Sequence, residues 1–460
     1  MKIIITVHQF LPEFFAGTEI LSFETARELT RRGHQVEVWT GHPPTGEPDS
    51  SGEFDNYVYD GVPVRRFYHY YLPLTDRYRY WEFEYNNTVF GWHFKDLLES
   101  QKPDLVHCFH LGNLSASLIT ECARHHLPTV FTATDFWLVC PKCQLLLPDH
   151  SMCDGPNSNG ANCLAHMLNR NYLKLMPEWL TRLVLWLGGR KWWPEKHYLP
   201  LMRALLLRKD FLRRAVDLID RILVPTQLMR NVLSKHGAAP EKIRFVPYGV
   251  NLSYIGDCPL KSPAGKIRLG FIGTIAEHKG AHVLLEAVRL LPEDLPLEVF
   301  VYGRLEDVPA YASRLREIAG GDGRIRFCGT FSNKEIGRIF SQLDCLVVPS
   351  LWYENTPLVI YSAQAAKTPV IATNLGGMTE VIKHEENGLL FEKGNAEQLA
   401  GLIRRICEDR ALLKVLSANS VPPKSVSDYV DGLEEIYGEV AGKIAGFYNG
   451  KHGREVTSEF

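Results

Sequence analysis

Cys345-Leu346-Val347-Val348-Pro349-Ser350-Leu351-Trp352-Tyr353-Glu354-Asn355-Thr356-Pro357-Leu358-Val359-Ile360 is the stretch whose reading decides the fold. Its opening apolar run, closed by a proline, reads as a short buried strand. Thr356 as N-cap and Pro357 as first helical residue then predict a helix starting just after that strand ends. A helix that begins beyond the carboxyl end of a parallel strand points free N–H groups into whatever cleft the sheet borders. Glu354 stands beside them. A carboxylate there can accept hydrogen bonds from sugar hydroxyls while the helix terminus holds phosphate oxygens; the plainer alternative is compensation of the helix dipole. Thr373-Asn374-Leu375-Gly376-Gly377-Met378-Thr379-Glu380, after the next strand, repeats the strand-to-glycine-to-helix pattern.

Working outward, short β-branched runs alternate with amphipathic stretches, the pattern of parallel sheets covered by helices. One series comprises Ile3–Val7, Val36–Thr40, Leu105–Cys108, Thr129–Ala133, Arg221–Val224 and Ile243–Val246. A second comprises Ile267–Ile272, Leu297–Tyr302, Ile325–Cys328, Cys345–Pro349 and Val370–Ala372. The Pro/Gly-rich stretch from Pro247 to Gly265 separates them, so the expected fold is α/β, with two Rossmann-like domains facing each other across a cleft. The expected boundaries are 1–258, 259–425, a helix over 426–446 that crosses back to the first domain, and a tail over 447–460. At 460 residues, with 45% hydrophobic and 23% charged residues, the chain suits such a soluble two-domain protein and excludes disorder and disulfide mini-scaffolds.

Two further strand-to-helix turns carry candidate chemistry. Ala16-Gly17-Thr18 follows the first strand: Gly17 lets backbone N–H groups approach a phosphate, or else the segment is an ordinary turn with Thr18 as N-cap. Phe271-Ile272-Gly273-Thr274-Ile275-Ala276-Glu277-His278-Lys279-Gly280 places Lys279 near a helix start, where it either neutralises a diphosphate or is simply solvated.

In this order and spacing, together with Arg32-Gly33-His34-Gln35-Val36, Pro103-Asp104-Leu105-Val106-His107, Pro247-Tyr248-Gly249-Val250 and Asn387-Gly388-Leu389-Leu390-Phe391, the chain resembles the retaining, two-domain (GT-B) enzymes of glycosyltransferase family 4, from Thr6 to about Ile444. The resemblance implies transfer of a sugar from a nucleotide sugar, UDP- or GDP-linked, to a glycan or lipid-linked acceptor. It implies retention at the anomeric carbon and no metal in catalysis, and suggests work in polysaccharide assembly. Residue by residue, Glu354 matches the glutamate that contacts the donor sugar and Lys279 the lysine that steadies the leaving diphosphate. Thr356, Leu358 and Val359 match the amides facing that diphosphate, and Gly17 and Gly273 the two phosphate-side loops. Three positions depart from the pattern: Ser362 replaces the second motif glutamate, Thr274 an arginine, and Thr134 a histidine. With His110 and Asp135, Thr134 forms the expected acceptor side. The departures leave a second reading: a catalytically silent relative that binds a glycan or a protein partner.

The remaining signals are local. Ten cysteines without a secretion signal suggest reduced thiols or metal. Cys140, Cys153, Cys163 and His166, with Cys143 as the alternative to Cys140, form a candidate structural zinc set in a loop over 140–166; unliganded thiols are the alternative. From Arg170 to Arg214 eleven Lys/Arg face three acids, a net of +8 that hides inside an overall −2 and leaves −10 for the remainder. Four of the nine tryptophans lie there too. Cations beside tryptophan on amphipathic helices suit an anionic membrane surface, the alternative being a helical excursion whose leucines and tryptophans are core. No nucleic-acid partner is expected. The apolar run at the N-terminus is too short for a signal peptide, so the expected location is the cytoplasm, peripheral on the membrane.

Overall fold

The computed structural model describes residues 1–42, 54–68, 80–168, 176–177, 179–181, 183, 186, 198–256 and 265–448. Eight strands form the first sheet: β1 (Lys2–Val7), β2 (Gln35–His42), β3 (Phe54–Tyr59), β4 (Val62–Tyr68), β5 (Leu105–Cys108), β6 (Thr129–Thr132), β7 (Arg221–Val224) and β8 (Ile243–Phe245). Their order is β3-β4-β2-β1-β5-β6-β7-β8, parallel except for β3. Six parallel strands form the second: β9 (Ile267–Ile272), β10 (Leu297–Tyr302), β11 (Ile325–Gly329), β12 (Cys345–Val348), β13 (Val370–Thr373) and β14 (Gly388–Phe391), in the order β11-β10-β9-β12-β13-β14. Every strand read from the sequence is present. All-parallel pairing requires helical crossovers, which bury both faces of each sheet and explain why the central strands read as unbroken apolar runs.

Three strands escaped the sequence reading. β3 and β4 form an edge hairpin through Asp60-Gly61, both at positive φ (+46° and +83°), the backbone a type I′ turn needs and the Asp-Gly pair supplies. β14 pairs parallel with β13, from Val370 opposite Gly388 to Thr373 opposite Phe391.

The helix Val426–Tyr448 leaves the second sheet and packs on the first. Tyr429, Leu433 and Tyr437, all fully buried, share one apolar cluster with Ile3, Ile5 and Leu105. Val250 N–H donates to Lys424 O at 3.0 Å and Val426 N–H donates back to Val250 O at 3.0 Å. A Cβ on Gly249 would run into the Ser425 carbonyl and Tyr429 Cβ, so this crossing tolerates no side chain there. Arg32, at the end of the helix Gly17–Arg31, clasps the crossing helix through Asp431 (2.5 Å), Glu434 (2.6 Å) and the Ser427 carbonyl (2.8 Å). His107 is wholly buried between Tyr437 Oη (2.6 Å) and Thr132 Oγ1 (2.8 Å). Burial pushes its imidazole down to about 3, so it is a neutral structural side chain.

A little under half of the basic segment 170–214 lies outside the described residues, Trp192 and Trp193 included. Its described end belongs to the helix Tyr198–Leu218, where Ala204, Leu205 and Leu212 are core. Arg208 is buried as well, donating to Trp137 O at 2.5 Å and to Glu84 at 3.4 Å. Trp179 and Trp186 are exposed. No helix among the described residues is long and apolar enough to cross a membrane.

Truncating Leu433 tests how far the crossing helix supports the first sheet. Leu433→Ala should lower unfolding stability by about 2–5 kcal/mol through the cavity it leaves. Urea titration followed by tryptophan fluorescence measures this, and a loss under half a kcal/mol would show the helix to be an appendage.

Candidate functional site

The site begins where β9 and β12 end. Gly280, at φ +74°, closes the turn after β9, and a Cβ there would collide with the Pro349 carbonyl oxygen that terminates β12. Leu351 N–H donates to His278 O at 2.8 Å, completing a seam between the two turns. That seam brings Lys279 to Glu354.

Glu354 is 5% exposed, and three donors converge on its Oε1: Lys279 Nζ at 2.7 Å, Ser350 Oγ at 2.7 Å and Trp352 Nε1 at 2.8 Å. Burial alone would raise this carboxyl. The Lys279 ammonium outweighs it, with the three hydrogen bonds, and holds the group below its ordinary value. Among the described residues no hydrogen bond is directed to Oε2. Trp352 also carries Lys279 Nζ over its ring, 5.0 Å from the centroid, and meets the His278 ring edge-on at 5.4 Å. Burial pushes His278 down to about 4, with Lys279 reinforcing the shift. Ser350 and Trp352 had no role in the sequence reading. Their spacing held the signal, since residues i, i+2 and i+4 of an extended segment project to one side.

The helix after this motif starts one residue later than the sequence suggested. It runs Leu358–Ala365 with Pro357 as N-cap, and no side chain caps it. Pro357 has φ −57° and ψ 128°, an extended ψ that keeps it out of the first turn. Thr356 Oγ1 instead donates to Gly377 O at 3.4 Å. The first amides of the helix, Leu358 and Val359, therefore have no acceptor within it. Ser362 turns back to its own helix, donating to Leu358 O at 3.1 Å. Gly273 is half-buried at the end of β9 and Thr274 is exposed.

Across the cleft, the helix Gly17–Arg31 has Ala16 as N-cap with no side-chain cap, so Thr18 does not play that part. A Cβ on Gly17 would lie 4.0 Å from Leu358 Cδ1, which sets the two helix starts face to face. Thr134 donates from its hydroxyl to Phe109 O at 3.1 Å, and its own carbonyl accepts Asn355 Nδ2 at 2.9 Å. The position that departs from the family pattern thus still braces the motif through its backbone. Asp135 accepts from Trp137 N–H at 2.8 Å and pairs with His110 Nε2 at 2.9 Å. Although burial opposes it, Asp135 holds His110 above its ordinary value. The His8 ring lies tilted by 49° against His110, centroids 4.1 Å apart, and His8 reaches Glu19 at 3.3 Å. Burial and the neighbouring His110 keep His8 well below the usual histidine range. His8 and Glu19 were not read as site residues, because nothing local in sequence links them to His110. Glu380 accepts the Gln227 and Leu228 amides at 2.7 and 2.9 Å, capping a first-domain helix from the second domain.

The matches to known proteins fall on this architecture. A profile described as Glycosyltransferase Family 4 matches residues 15–254, just over half of the chain, and one described as Glycosyl transferases group 1 matches 259–421. The chain belongs to glycosyltransferase family 4. A D-inositol 3-phosphate glycosyltransferase of Arthrobacter sp. (strain FB24) is 31% identical over 216 residues, which is 44% of this chain and 51% of that protein; the match spans about half of the relative's length. Among solved structures, Anabaena Alr3699/HepE in complex with UDP and glucose aligns with a TM-score of 0.62 at 16% identity, over 95% of this chain and 99% of that one. Sucrose-phosphate synthase from Thermosynechococcus elongatus aligns with a TM-score of 0.62 at 18% identity, over 98% and 100%. Both establish the fold, the GT-B pairing of two α/β domains.

Removing the ammonium tests the electrostatic core of this cluster. Lys279→Ala should cost about 2 kcal/mol at pH 7, below the full price of breaking a buried pair because Lys279 is itself 23% exposed. A depressed carboxyl contributes stability above its unfolded pKa and loses it as pH falls. The gap between wild type and variant should therefore narrow below about pH 4.5, the ordinary glutamate value. Denaturation at pH 7 and pH 4 decides, and a gap that widens in acid would overturn the assignment.

Proposed function

We propose that this chain transfers a glycosyl group from a nucleotide sugar to a hydroxyl of a glycan or lipid-linked acceptor, with retention at the anomeric carbon. The observation that carries this reading is the Lys279–Glu354 pair beside the uncapped helix start at Leu358. In the reaction the bond between the anomeric carbon and the diphosphate oxygen breaks, and its electron pair leaves with the nucleoside diphosphate. The acceptor oxygen forms the new bond on the same face, and its proton passes to a diphosphate oxygen. Lys279 and the Leu358 and Val359 amides stabilise the charge that develops on the leaving group. Glu354 Oε2 accepts hydrogen bonds from the donor sugar's hydroxyls. Cationic stabilisation thus comes from the protein, and transfer is expected to continue in chelator.

The UDP bound by HepE supports uridine nucleotides as the first donors to assay, with GDP-sugars next. A lipid-linked acceptor accords with exposed Trp179 and Trp186 in the basic segment. Co-sedimentation with anionic but not neutral liposomes is the expected result, and absence from both pellets would remove the membrane from this reading.

Ser362 and Thr274 offer a bound nucleotide less than the glutamate and arginine they replace, which favours a second reading, a silent binder. Calorimetry with UDP-, GDP- and ADP-sugars separates the two. Binding followed by release of nucleoside diphosphate supports transfer; no binding of any nucleotide at millimolar concentration sinks it. Ser362→Glu should tighten nucleotide binding on the order of tenfold by adding a charged acceptor. Trp352→Phe keeps the ring beneath Lys279 but removes the donor to Glu354. Without that donor the carboxyl titrates at higher pH, so kcat should fall roughly tenfold and its acid limb should move upward. An unmoved acid limb would show the indole N–H to be dispensable.

A further inference from the structure

Residues 133–160 run without helix or strand, and their pairing is the isolated antiparallel bridge Leu146–Met152. So long an irregular stretch needs something of its own to hold it. One end has it: Phe136, Trp137, Val139 and Leu145 are buried in the first domain's core. The other end closes on a small cavity lined by Cys140, Cys153, Cys163 and His166, with Lys142 and Asn162 beside them. Cys163 and His166 belong to the helix Ala161–Met167 and, three residues apart, share one of its faces. None of the four cysteines at 140, 143, 153 and 163 is in a disulfide.

We propose that Cys140, Cys153, Cys163 and His166 form a tetrahedral site for a structural zinc ion. Three sulfurs and one imidazole are a donor set that zinc accepts, and the Cys-x-x-His spacing supplies a half-site on one helical turn. Zinc binds cysteine as the thiolate, so loading the site would release protons. No three ligand atoms of this set lie within 4.8 Å of one another in the structure. Binding an ion there therefore requires these side chains to change rotamer, and staggered cysteine rotamers differ by about 3 Å in sulfur position.

A second group, His110, Asp135 and Cys143, does lie within 4.8 Å. Its histidine has no lone pair to give: Nδ1 accepts from Gly112 N–H at 3.0 Å, and Nε2 donates to Asp135 at 2.9 Å. The quartet is therefore the better site. Its role is to fix the rim of the cleft, since the same loop reaches the second domain. Lys393 Nζ donates to His150 O at 2.6 Å, and Gln144 Nε2 lies 3.5 Å from His278.

The test is elemental analysis of the full chain purified without chelator, where about one zinc per chain is expected. Cys153→Ser, Cys163→Ser and His166→Ala should each lose the metal, whereas His166→Cys should retain it, which a merely structural histidine does not predict. Should the serine variants fold poorly, cobalt(II) added to the apo wild type should give the visible spectrum of a tetrahedral thiolate site. Substoichiometric zinc with no uptake on titration would overturn the proposal. So would zinc that persists in the Cys153→Ser, Cys163→Ser double variant and disappears in Cys143→Ser.

Discussion

The structure turns on one constraint: a carboxylate held almost dry at Glu354 needs a cation at hydrogen-bond distance. Lys279 meets it, and can do so only because the turn after β9 touches the end of β12. That contact in turn requires glycine at 280, where a side chain would strike the Pro349 carbonyl. Adjacent strands β9 and β12 are separated by 72 residues from Ile272 to Cys345, so the central adjacency of the parallel sheet is what sets the geometry of the Lys279–Glu354 pair. Trp352 finishes the arrangement. Its N–H fixes the carboxylate and its ring face bears the ammonium, so one side chain orients both partners.

The second domain does not hold its motif alone. Asn355 reaches Thr134 O and Thr226 across the cleft, and Glu380 caps the helix that begins at Gln227. The crossing helix Val426–Tyr448 ties the two sheets together at the far side. With the motif braced at Asn355 and the chain returning through Val250 and Ser425, relative movement of the domains must alter contacts made by the residue next to Glu354. Any shift of one domain against the other is thus mechanically linked to the Glu354 carboxylate.

Much of this was readable in the chain. Buried parallel strands declare themselves as β-branched runs because both their faces are covered, and Lys279, Glu354 and the helix start followed from strand-to-helix turns. What escaped has a physical pattern. The β3–β4 hairpin has one face toward solvent, so its apolar residues are diluted; only Asp60-Gly61 marked it. The helix boundary at Thr356-Pro357 was misplaced by one residue because proline suits both N-cap and first-turn positions, and only ψ distinguishes them. His8 and Glu19 meet His110 through sheet order, β1 lying next to β5, and pairing between strands so far apart in sequence leaves no local trace.

The charge reading shows the same limit from another side. A net +8 over 170–214 counts every cation as available to solvent. Arg208 is not: it is spent inside the first domain, against the Trp137 carbonyl and Glu84, with its guanidinium 5.4 Å from the Trp137 ring. Trp137 follows Asp135, so this internal arginine supports the wall that carries His110. The basic segment therefore has two physical roles. Its final helix is core behind the wall that carries His110, and only the cations outside that core can create a field at the surface. Whatever field the segment presents at the surface arises from the part that the core does not consume.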